Sequence, residues 1–323
     1  MTQNKCERLQ GGFTLVELMV AMLISLLLMG GVIQVFSSSS KSYRNHEGLS
    51  RIQENGRFAM EFLTRDIRMA DFWGCANNVS KVTNNLNYVA SSPWDFSEGL
   101  RGTDGGGLNG SDSIRLRGAF GTGLYIQPPY GPTTSASLKV PPNTILSVGD
   151  IFLVTNCESA DVAQVTGQVT GTNVSLTHNS GAGTPGNSTH TVSTVYGPNS
   201  QVYGVRTSDY SIALGADGQP ALFRSINGAA GLELVDGVRE MQILFGEDTD
   251  GDLTANYYVI ATSVADWEQV VSVKVWLLLQ SYEDNLASSP MTYTDISGAT
   301  QTAPDNRLYQ VFNSTIAVRN RVQ

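Results

Sequence analysis

Between Phe13 and Phe36 the chain carries one charged residue, Glu17, and residues 18–33 carry none. A run of this length can cross the hydrocarbon core of a bilayer as an α-helix. Lipid forces that conformation, because every backbone polar group must find its partner within the segment. Upstream, Lys5 and Arg8 precede the Gly11-Gly12 pair, the pattern of a short cationic leader held on the cytoplasmic side. Glu17 is the unusual residue, since a carboxylate in hydrocarbon costs roughly 2.5–3.5 kcal/mol on insertion scales unless it is partnered. A secretion signal would need a small-residue cleavage site after the apolar run, which Ser37 to Ser40 supply only loosely. A plain uncut anchor explains neither Gly12 nor Glu17. A cut between Gly12 and Phe13 would place a new amino terminus four residues from Glu17, in the same apolar layer, where a neighbour's amine can meet the carboxylate.

Gly12 followed by Phe13-Thr14-Leu15-Val16-Glu17-Leu18 resembles the class III signal of type IV prepilins and type II secretion pseudopilins. The resemblance implies that a prepilin peptidase cuts after Gly12 and methylates the amino group of Phe13. It also implies that Glu17 pairs with an adjacent subunit's terminus.

Beyond the apolar run the pattern becomes one-sided. Leu49, Ile52, Gly56, Ala59, Leu63, Ile67 and Ala70 recur at steps of three or four, one face of a helix. Arg51, Glu54, Arg57, Glu61, Arg65 and Arg68 lie opposite, which reads as a solvated face of mixed sign. No proline interrupts residues 13–72, so one nearly continuous helix of roughly 90 Å is expected at 1.5 Å per residue. Gly30-Gly31 and Gly48 weaken it, by about 1 kcal/mol each against alanine, and suit either bending or close packing.

After Asp71, turn residues recur every few positions. Candidate strands are residues 113–117, 151–155, 162–166, 174–177, 202–206, 221–225, 238–245, 257–261, 270–279 and 308–318, with loops at 99–110 and 178–200. This predicts an α+β fold: a long N-terminal helix packed against an antiparallel β-rich globular head. The expected divisions are a leader at 1–12, a transmembrane and polymerisation helix at 13–36, its amphipathic continuation at 37–71, and the head at 72–323. A net charge of -9, with only 15% charged residues and no basic stripe, suits an exported polar surface and argues against nonspecific nucleic-acid binding. Of three cysteines, Cys6 leaves with the leader, so Cys75 and Cys157 form an even pair in an oxidising compartment, read as a disulfide with two separate thiols as the alternative.

Arg51-Ile52-Gln53-Glu54-Asn55-Gly56-Arg57-Phe58, Leu63-Thr64-Arg65-Asp66-Ile67-Arg68 and Gly74-Cys75 resemble the helix end of PilW-type minor pilins. Val148-Gly149-Asp150, Leu234-Val235-Asp236-Gly237-Val238, Asp248-Thr249-Asp250-Gly251-Asp252 and the segment from Val311 to Arg321 are similar to the same family. The pseudopilin J of type II secretion is similar over the N-terminal helix. The PilW resemblance implies a subunit that primes pilus assembly and sits at the fibre tip. Its implied partners are other minor pilins, the major pilin, an inner-membrane assembly platform and a large tip adhesin. Its implied location is the inner membrane, with the head in the periplasm, and then the pilus tip.

No enzymatic motif stands out. Gly105, Gly107 and Gly110 satisfy G-x-G-x-x-G formally, but no apolar strand precedes them and no helical pattern follows. His46, His178 and His190 are scattered, and the latter two are expected in an exposed Ser/Thr/Gly-rich loop. No resident cofactor is expected, with one alternative: Asp248, Asp250 and Asp252 around Gly251 supply hard oxygens of the kind Ca²⁺ takes. Leu253 and Val259 stand where an EF-hand has its glycine and its bidentate glutamate, so a simple hairpin turn competes with that reading. A membrane-tethered Ca²⁺-dependent adhesin is the corresponding rival function.

Overall fold

The computed structural model describes Gly12, residues 14–181 and residues 183–322. One α-helix runs Leu15–Met69, 55 residues. It passes through Gly30-Gly31 without a break, and a Cβ built at either glycine would meet nothing within 4 Å. Among the described residues, nothing packs closely on either glycine. Contact with the head begins at Arg44, 3.7 Å from Glu283, and is close by Gly48, where a Cβ would lie 3.0 Å from Leu286. From there Ile52, Gly56, Ala59, Leu63 and Ile67 are buried, the stripe predicted by the 3.6-residue period. At Gly56 a Cβ would stand 2.3 Å from the Phe312 ring, so only glycine lets that ring lie against the helix. The packing gained offsets the helix propensity lost there.

The stripe packs on a four-stranded antiparallel sheet ordered Tyr257–Val259, Val238–Glu247, Val270–Gln280, Tyr309–Ala317. Val273, Val275, Leu277 and Leu279 face the helix in a shared core with Met241, Ile243 and Ile316. Trp276 and Leu278 point the other way, into a small core with Tyr309 and Ala303, flanked by Met291 and Tyr293 beside the hairpin Thr292–Thr294/Thr300–Thr302. Burial on both faces is why Val270–Gln280 reads as a nearly unbroken apolar run rather than an alternation.

A second, eight-stranded sheet is built around Gln201–Leu214, which pairs with Ser113–Tyr125, Ile151–Thr155 and Pro220–Ile226. A three-stranded sheet of Leu138–Val140, Val174–Thr177 and Gly167–Val169 has its own core with Phe152 and Val154. Several expectations need correction. Residues 99–110 are not all loop, because Leu100–Thr103 pairs with Ser113–Tyr125. The strand expected at 113–117 extends to Tyr125, because residues 118–125 continue its pairing with Gln201–Leu214; the one expected at 202–206 extends to Leu214, where polar residues find partners: Asp209 accepts from Arg115 Nε at 2.5 Å and Thr207 Oγ1 donates to the Pro93 carbonyl at 2.6 Å. The head is not wholly antiparallel, because Val82–Asn84 runs parallel to Ala160–Gln164.

Cys75 and Cys157 are joined, 82 residues apart in sequence, tying the chain just past the helix to the turn after Ile151–Thr155. Closing such a loop typically stabilises by about 2–4 kcal/mol. Reduction is expected to expose two further thiols to alkylation and lower the head's stability by that amount. Full alkylation before reduction would remove the bridge from this account.

Candidate functional site

The helix opens with a reciprocal cap. Thr14 Oγ1 accepts from the Glu17 N–H at 3.3 Å, while a Glu17 carboxylate oxygen accepts from Thr14 N and Thr14 Oγ1, both at 3.1 Å. This capping box satisfies orphan donors at the helix start, and the Thr14-x-x-Glu17 spacing that signals it was legible in the sequence but not used. Glu17 thus has a local partner while remaining exposed. Phe13, the residue expected to be methylated after cleavage, lies outside the described residues, as does the leader up to Gly11. Gly12 is exposed with open space around it. The first half of the helix is unburied, and it is long and apolar enough to cross a membrane.

At its other end the helix is fixed by charges. Asp66, on the buried stripe, accepts from the Tyr210 hydroxyl at 2.7 Å and lies 3.6–3.7 Å from Arg65, Arg206 and Arg224. Burial first, and then the Asp66 carboxylate, hold the Tyr210 hydroxyl well above the ordinary phenol value; the hydroxyl therefore stays protonated and donates. Asp71, at φ 61, accepts from the Trp73 indole and from Arg321 Nε, both at 2.6 Å. Arg321 Nη1 donates to the Val270 carbonyl at 2.9 Å and also to that of Trp267, and Asn320 Nδ2 donates to the Ala70 carbonyl at 2.9 Å. The C-terminal turn therefore clamps the helix exit onto the sheet. No spacing rule pairs residues 250 apart, and the sequence reading missed this clamp.

The three aspartates do converge. Asp248, Asp250 and Asp252 each place a carboxylate oxygen within 4.8 Å of the others. Asp248 is buried, and its oxygens accept from the Gly251 and Leu253 N–H groups at 2.7 and 2.8 Å. Burial opposes its charge, but the hydrogen bonds from Leu253 and Gly251 prevail and hold its carboxyl below the usual range. Asp250 and Asp252 are exposed. Of the histidines, His178 is not in solvent as expected; it is 4% exposed, its Nε2 lies 3.2 Å from the Ala136 carbonyl, and it packs near Phe152. The glycines at 105–110 lie in a largely exposed turn, with Gly105 N donating to Asp112 at 2.9 Å.

Comparison with known proteins agrees with this anatomy. Residues 8–33 match the prokaryotic N-terminal methylation motif. Residues 209–320 match the family described as type IV pilus-assembly protein W. The pilin-like protein PilA3 of Thermus thermophilus is 37% identical over 68 residues, covering 20% of this chain and 29% of that relative. No solved structure matches the chain. With its methylation motif, long apolar helix and β-rich head, the chain is similar to type IV pilin-like proteins, although it spans less than a third of the length of the relative it matches. The PilW match begins inside strand Gln201–Leu214 and runs through the C-terminal strand Tyr309–Ala317.

Proposed function

We propose that the chain is a minor pilin that helps prime type IV pilus assembly and takes a place in the tip complex, with no chemical reaction of its own. The observation that carries this reading is the division of one continuous helix into an unburied apolar half and a half buried against the head. The first half is suited to a membrane and then to a bundle of like helices, and the second presents a rigid head. In this reading the prepilin peptidase acts at Gly12, the inner-membrane platform extrudes the subunit, and other pilins and a tip adhesin meet the head. A type II secretion pseudopilin shares the helix, but the PilW match over residues 209–320 favours the pilus. Intact mass of the membrane-extracted protein is expected to show a chain beginning at Phe13 with one added methyl group. A mature chain beginning near Ser38 would sink the reading.

The convergence of Asp248, Asp250 and Asp252 favours a second, compatible property, a weak Ca²⁺ site in the head. A ligand bound only by the folded state raises its melting temperature, so millimolar Ca²⁺ is expected to do so, with Mg²⁺ giving little and Asp250→Ala abolishing the shift. An equal shift in Asp250→Ala would leave this loop as a turn only.

A further inference from the structure

We propose that the head self-associates edge to edge, the acidic loop of one copy seating in an arginine-lined groove on a second copy of this chain. The inference rests on the assembly reading above and concerns which surface makes the contact.

The groove, about 820 Å³, lies between the last turns of the helix and the end of strand Tyr309–Ala317. Arg57, Arg65, Arg68 and Arg319 line it over an apolar floor that includes Met60 and Met69, and Glu61 is the one carboxylate in its lining. Among the described residues, Arg57, Arg68 and Arg319 enter no ion pair, and Arg65 has only a 3.6 Å approach to an Asp66 already shared with Arg206 and Arg224. Uncompensated cations gathered on a chain of net charge -9 call for an acidic occupant.

The same sheet offers that occupant at its other edge. Residues 246–268 contain no lysine or arginine. Asp250 and Asp252 are exposed there beside Leu253, Tyr257, Tyr258 and Ile260, which are 39–48% exposed. One patch thus joins carboxylates to exposed apolar side chains, and the other joins guanidiniums to methionines. Both adjoin edge strands, Tyr257–Val259 and Tyr309–Ala317. They also lie at one end of the sheet, because Glu247 pairs with Val270 while Ser272 pairs with Ala317. Complementary patches on opposite edges make a heterologous contact between two copies, not a two-fold one.

The test uses the full-length chain in its own membrane. Copies carrying Asp250→Cys and copies carrying Arg68→Cys are co-expressed, oxidised and run without reductant. The mixed disulfide dimer is expected at least about tenfold above that from either copy alone, the ratio that about 1.4 kcal/mol of preference gives. Adding Arg57→Glu and Arg319→Glu to the groove copy should suppress it, and adding Asp252→Arg to the loop copy should bring it back. A dimer that survives the charge reversal reflects helix association alone and overturns the proposal, as does equal cross-linking of each copy with itself. Intact mass and fibre incorporation of the Arg57→Glu/Arg319→Glu chain are read in parallel. Normal processing and incorporation without the cross-link would remove this contact while leaving the pilin reading standing.

Discussion

Arg321→Ala is expected to destabilise the head by about 3–5 kcal/mol, the cost of removing one partner from a buried ion pair. Arg321 and Asp71 side chains are only 6% and 9% exposed, with Nε to Oδ2 at 2.6 Å. Deleting the guanidinium would leave Asp71 with the Trp73 indole as its remaining side-chain donor, and leave the Val270 and Trp267 carbonyls without that donor. Lysine cannot reproduce the forked geometry, so Arg321→Lys should recover only part of the loss. Unfolding of the detergent-solubilised full chain, followed through its tryptophan fluorescence, to which Trp73 and Trp267 beside the clamp contribute, measures the effect. A change below about 1 kcal/mol, the scale of an exposed pair, would show that the clamp does not hold the helix exit.

The clamp also illustrates what the sequence could and could not disclose. The stripe from Ile52 to Ile67 was legible because helical burial repeats every three or four residues. Cys75 and Cys157 were legible because an even pair in an exported chain has few alternatives. Asp66 lies on the same stripe, yet its burial depends on Tyr210, Arg206 and Arg224, more than 130 residues away. A polar residue on an apolar face gives no sign of which distant partners neutralise it. The full length of strand Gln201–Leu214 is hidden for the same reason: Thr207, Ser208 and Asp209 look like a turn until their partners are in place. The burial of His178 is not legible either, because a loop composition says nothing about what packs over it. The Thr14–Glu17 cap, by contrast, was a local signal present in the residues themselves.

That cap separates two roles for Glu17. As a helix cap, Glu17 works through Thr14, and losing the cap costs about 1 kcal/mol at the helix end. As a charge partner for a neighbour's amino terminus, it works through its ionised carboxylate in a medium where an unpaired charge is expensive. Glu17→Gln keeps an oxygen able to accept from Thr14 and removes the charge, whereas Thr14→Val removes the hydroxyl and leaves the charge. The proposed assembly role predicts that Glu17→Gln lowers incorporation into surface fibres at least about tenfold, since even 1.4 kcal/mol of lost subunit affinity is that large. Thr14→Val should assemble nearly as the parent does, and both chains should retain the Cys75–Cys157 bridge, which lies in the head. Incorporation is counted on sheared fibres, with processing at Gly12 confirmed by mass. If Thr14→Val loses fibres as severely as Glu17→Gln, the capping contact accounts for Glu17 and the intersubunit charge pair is wrong.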